Sequence, residues 1–255
     1  MLLKVIACDV FTREVCHCVA RSPHTVDLEF TPKGAHNEPE VLRAMLQERI
    51  DAAEASDKQY DAIALCLGIC GNATIGLQSR SNPIILPRSH DCCALFLGSK
   101  ERWQEHFGNN PSTPFSSGGY LEHGGEYTRE ANTYSKEMGY GESFQDYVEK
   151  YGEDNARYIW KTLHPEEIPG SDGRVVFIDV PECPSCDHLE ACRQRAERDG
   201  KEFIRIEGSI EWVRKLVYGE WDESRFLRVP ARHKVAGVYD WQTVVKAVDT
   251  GTSAV

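Results

Sequence analysis

Several things are scarce in this sequence. No apolar run approaches the ~20 residues that a membrane-spanning helix needs, so no membrane partner is expected. Positive charge is in short supply: 29 Lys+Arg stand against 40 Asp+Glu, a formal net charge of −11. Phosphate backbones call for a basic surface, so nucleic acid is not an expected partner either. There is no GxGxxG and no glycine-rich loop ending in GK[ST], which leaves dinucleotide and nucleoside triphosphate binding without a motif. The opening MLLKVIACDVF carries no small-residue cleavage site, and Asp9 and Arg13 interrupt it, so a cytoplasmic protein is expected rather than a secreted one. Cysteine is what the chain has in plenty. Ten thiols in 255 residues, in a reducing compartment, point to metal or catalytic chemistry before disulfides.

The residue pattern predicts an α/β protein. Leu2 to Ala7, Ala62 to Leu67 and Ile84 to Leu86 are short apolar runs of the buried parallel-strand kind, and Thr25 to Phe30 alternates like a strand. Helices are expected from Phe11 to Ala20, from Pro39 through Ile50, and from Asp91 to Phe107. Residues 108–126, rich in Gly, Pro, Ser and Asn, read as a long loop, with Tyr120, His123 and Tyr127 as candidates for a lid. A polar helical region follows over 129–162, whose uncovered face would suit a homodimer. Arg174 to Val180, Phe203 to Ile206 and Phe226 to Val229 read as further strands, separated by helices at His188 to Arg198 and Ser209 to Val217, and the tail after Thr250 as frayed. The expected organisation is two Rossmann-like halves, 1–107 and 171–255, around a loop and helical insertion at 108–170. Both halves have parallel sheets flanked by helices, with the site at the C-terminal strand ends.

Three cysteines share that position. Cys8 follows the first strand, Cys70 the strand at 62–67, and Cys92 the strand at 84–86, with His90 two residues before it. Neighbouring parallel strands would bring them to one crevice from separate parts of the chain. Thiolates with an imidazole suit zinc or an iron–sulfur cluster, so Cys8, Cys70, Cys92 and His90 are the candidate ligands. The metal-free alternative makes Cys92 a nucleophile, with His90 as its base and Asp91 capping the helix or orienting the ring. Arg88 would anchor a substrate anion or form a structural ion pair. Gly71 and Asn72 sit in a tight turn that can bring backbone close to a ligand. Cys66 and Cys93, among apolar neighbours, read as packing.

Cys183-Pro-Ser-Cys186 with Cys192 makes a C-x2-C-x5-C, a possible second metal centre that His188 could complete, or a dithiol pair. Cys16 and Cys18 fall on different faces of one helix. Asn37 reads as an N-cap, His36 as able to reach the strand-end crevice, and Glu14 as a solvated helix residue.

The strings LCLGICGNATIGL and IILPRSHDCCALFLGSKERW, with Cys8 and Glu14, AHNEPE and LVYGEWDESRFLRVP, resemble the core of the domain of unknown function numbered 1638. The resemblance spans most of the chain. It makes Cys8, Cys70, Gly71, Asn72, Arg88, His90, Asp91 and Cys92 the family-typical set, whereas Cys183, Cys186 and Cys192 depart from it. It implies cytoplasmic proteins of anaerobes, often encoded near corrinoid proteins and corrinoid-dependent methyltransferases. Three functions are therefore weighed. One is a metal-binding protein of corrinoid-linked one-carbon metabolism acting on a small-molecule substrate, with corrinoid reached through a partner protein. The others are a metal-free cysteine enzyme and a non-catalytic carrier delivering metal or corrinoid to a methyltransferase.

Overall fold

A computed structural model describes residues 1–111, 113–123, 148, 152, 153, 155, 157, 173–238 and 240–251. These form a mixed α/β protein with parallel sheets flanked by helices. The first unit comprises Met1–Trp103, Asp179–Ser185 and Glu207–Val255. Its sheet has five strands in the order β2-β1-β3-β4-β8. They are β1 (Leu2–Cys8), β2 (Thr25–Thr31), β3 (Ala62–Cys66), β4 (Ile84–Pro87) and β8 (Phe226–Val229). The first four run parallel and β8 runs antiparallel along the β4 edge.

Alternate residues of the buried strands feed opposite faces. Ile6, Ile63, Leu65, Ile84 and Leu86 pack with Leu42, Leu46 and Ile50 of helix α2 (Pro39–Ala55). Each of those α2 side chains contributes roughly 1.5–3 kcal/mol by leaving water. The other face carries α1 (Thr12–Val19), α3 (Cys92–Leu97) and α7 (Glu211–Val217), with Phe11 stacked on Phe96 at 4.3 Å. α2 starts at Pro39, whose fixed φ and missing N–H suit the first helical position. Glu38 therefore occupies the N-cap, not the expected Asn37, which ends a short 3-10 turn.

Two features of this unit differ from the pattern reading. The helix expected from Asp91 to Phe107 is broken into α3 and α4 (Lys100–Phe107). Gly98 ends α3 in the left-handed region at φ 79, and a Cβ there would meet the Ser209 side chain at 2.5 Å. The second feature is a hairpin of β9 (His233–Gly237) and β10 (Val245–Asp249), which packs Val235 and Val245 into the α2-side core.

The second unit comprises Gln104–Ile178 and Cys186–Ile206. Its sheet is β5-β6-β7: β5 (Phe115–Ser117), β6 (Arg174–Asp179) and β7 (Glu202–Glu207), with β5 parallel to β6. Helix α6 (Cys186–Arg198) buries Cys192 and Ala196 against Val175 and Phe177 of β6. The expected loop after residue 107 is structured in part. β5 and α5 (Gly118–Glu122) lie within it, and Phe115 packs edge-on against Phe107 and Tyr120. Tyr120 is buried there and cannot be a surface lid. Tyr127, most of 129–162 and residues 252–255 lie outside the described residues. The units thus do not follow three consecutive segments, because β8 returns to the first sheet while β6 and β7 build the second.

Candidate functional site

Strand order places the site. From β1 the chain steps outward to β2 and then back across to β3, so the connections diverge between β1 and β3. In open parallel sheets that divergence leaves a crevice at the carboxyl ends of the two strands. Cys8 is the last residue of β1, and Cys70 lies four residues past the end of β3.

The segments after β3 and β4 stay zipped together beyond the sheet. Ile69 N–H donates to Ser89 O at 3.0 Å and Cys70 N–H to His90 O at 3.3 Å. This close approach needs Gly68: a Cβ there would stand 2.7 Å from Asp91 Cα. Cys70, Gly71 and Asn72 then take φ of 41, 63 and 73, a short left-handed turn closed by Ala73 N–H on Cys70 O at 3.2 Å. Left-handed backbone is costly for residues with a Cβ, and such cost concentrates at functional sites. Arg43 holds the turn by donating to Asn72 O at 3.0 Å, and Pro39 covers Gly71.

Burial dominates the thiols. It pushes Cys8 up to about 11, helped by Asp9, whose Oδ1 is 3.9 Å from the sulfur, while nearby Lys33 opposes. Burial pushes Cys70 up to about 12, and Cys8 and Asp91 raise it further. Cys92 opens α3, half-buried, and Asp91 caps that helix by accepting from Ala94 N–H at 3.3 Å. Cys66 and Cys93 are buried among apolar side chains, as expected of packing residues.

His90 faces a different recess, one with no cysteine in its lining. Its ring stacks on Trp241 at 4.9 Å, and Trp241 in turn lies 4.7 Å from Trp103. Burial lowers the His90 pKa, and Nε2 is enclosed with no hydrogen-bond partner among the described residues. Arg88 and Lys100 share the recess. Arg88 Nε donates to Glu223 O at 2.8 Å, and Nη1 to Thr243 O at 2.8 Å and Val245 O at 2.5 Å. Most of this guanidinium therefore holds backbone carbonyls of the C-terminal segments in place. Lys100, only 6% exposed, donates to Gln242 O. Its pKa is lowered by burial and by Arg88. Lys100, Trp103 and Trp241 are site residues that the sequence pattern did not reveal. Lys100 in GSKERW looks like an ordinary surface lysine, and only the Gly98 break turns it inward.

The residues considered as metal ligands are thus distributed between two places, the Cys8–Cys70 pair and the His90 recess. Among the described residues no group of three or more His, Cys, Asp or Glu side chains is arranged to hold a metal ion. Cys183 belongs to the first unit, while Cys186 and Cys192 open and line α6 in the second. Burial pushes Cys192 up to about 12 in an apolar setting, and His188 pairs with Glu122 at 3.4 Å. Cys16 is exposed and Cys18 buried, on different faces of α1. Glu14 corrects an expectation. It is 5% exposed rather than solvated, and its carboxylate adds to the rise of Cys18, Cys66 and Cys183. His36 lies in the 3-10 turn before α2.

The fold and strand-end crevice define an α/β protein with a thiol-bearing switch point. Residues 30–217 match the family described as "Protein of unknown function (DUF1638)", and the chain belongs to that family. No curated protein and no solved structure matches it. No helix of the described residues is long and apolar enough to cross a membrane.

Proposed function

We propose that this is a cytoplasmic thiol-site protein of anaerobic, corrinoid-linked one-carbon metabolism that binds a soft metal ion, zinc or an iron–sulfur type centre, through Cys8 and Cys70. One observation carries the reading. Two cysteines more than sixty residues apart in sequence stand at or past the carboxyl ends of the two strands that flank the switch point, one of them on a left-handed turn. Both thiols hold their protons at neutral pH, so a cation that binds them releases those protons and affinity rises with pH. A bound ion would contribute Lewis acidity toward a small methylated or thiol substrate. Asn72 and the backbone of the Cys70–Asn72 turn orient that substrate, and a corrinoid protein or methyltransferase is the partner. Anaerobic titration with zinc or cadmium tests it: about two protons should leave per ion bound, and Cys8→Ser with Cys70→Ser should abolish binding. Equal binding by that double variant sinks the reading.

A further inference from the structure

We infer that the recess lined by Arg88, His90, Lys100, Trp103 and Trp241 is an anion site that takes the carboxylate group of a small organic acid. From the functional reading above this borrows only the idea of a small substrate; it uses none of the thiols. Arg88 and His90 from the segment after β4 and Lys100 from α4 line one recess of about 10 Å³, and each keeps polar atoms unspent. Lys100 uses one ammonium N–H on Gln242 O, Arg88 uses Nε and Nη1, and His90 Nε2 has no partner among the described residues. A lysine that is 6% exposed with N–H groups to spare is costly unless an acceptor completes it.

The charge count selects the ligand class. Arg88 and Lys100 are two cations, against one lining carboxylate, Asp91, which already accepts from Ala94 N–H. Glu101 and Asp240 also face Lys100 and Glu223 faces Arg88, but all three are exposed and outside the lining, and Asp240 accepts from Thr243 N–H at 2.6 Å. A recess one positive charge in excess suits a monoanion better than a phosphate dianion. The walls are indoles. Trp103 and Trp241 offer apolar faces to a short carbon tail, and Trp241, stacked on His90, is the wall that must shift for entry.

The test is a titration of the full chain with sodium formate, acetate and propionate. Chloride and inorganic phosphate serve as controls at equal ionic strength, read by tryptophan fluorescence and by melting temperature. At least one carboxylate should give a saturable fluorescence change and a rise in melting temperature that chloride does not match. Lys100→Gln should weaken it about tenfold or more, as expected for one charge-assisted hydrogen bond. Trp241→Phe should keep the thermal shift and lose most of the fluorescence change. If Lys100→Gln does not fold, competition among the acids on the unaltered protein still decides. No saturable response to any carboxylate, a response shared equally with chloride, or preference for phosphate overturns the proposal. Cys8→Ser with Cys70→Ser should leave the acid response intact, so this site and the thiol site fail separately.

Discussion

Gly68 has no room for a side chain, and the reason lies across the crevice rather than in its own turn. A Cβ would stand within 2.9 Å of three Asp91 backbone atoms, so Gly68→Ala must part the two strand-end segments. We expect a loss of roughly 1–3 kcal/mol in denaturant unfolding, together with faster labelling of Cys70. His90 gives a pH signature. Burial holds its pKa below 6.5 in the folded protein, so the unfolded chain takes up a proton there first as pH falls. Stability at this residue is therefore full above pH 6.5 and declines below it. Glu54 acts in another window: held down at about 2 from 4.5 by Ser79, Ser81 and two backbone N–H groups, its contribution is lost only in stronger acid. Urea unfolding between about pH 7 and 5 should lose its slope in part in His90→Gln. Residue roles were only half legible. Cys8 and Cys70 stand out because strand ends are readable, whereas Glu14 follows a helical pattern that fits a solvated face equally well.

At the scale of elements, the β9–β10 hairpin depends on one side chain from another strand. Arg88 spans from the end of β4 to the carbonyls of Thr243, just before β10, and Val245, its first residue. Arg88→Lys keeps the charge but lacks the second nitrogen that holds Glu223 O while Nη1 holds Thr243 and Val245, so amides of β9 and β10 should exchange faster with solvent while those of β1 and β3 do not. A uniform change across the sheet would argue against this tether. The strands of the parallel sheet were readable because burial on both faces leaves continuous apolar runs such as Ile63–Ala64–Leu65. HKVAG and VKAVD were not, since each exposes part of its length and carries lysine among its apolar residues. The broken helix was missed for a related reason: Gly98 alone does not reveal that Ser209 will occupy its flank.

For the molecule as a whole, thiol exposure sorts the ten cysteines. Cys16 and Cys186 are exposed, Cys8, Cys70 and Cys92 half-buried, and the other five buried. A colorimetric thiol assay on reduced protein at neutral pH should show those two reacting first, and complete reaction only after denaturation. Early reaction of Cys66 or Cys93 would contradict the packing described. The division into units was the least legible feature, because composition marks neighbours along the chain and says little about a strand such as Phe226–Val229 that travels back to Ile84–Pro87. That return path has a bearing on biosynthesis. Arg88 finds its acceptors 155 and 157 residues further along the chain. A growing polypeptide thus emerges from the ribosome with the thiol turn able to form early, while the Lys100 and Trp241 recess stays unmade until synthesis has passed Val245. The Cys70–Asn72 turn is thus made before the recess, and a product cut short before β10 would keep the turn and lack the recess.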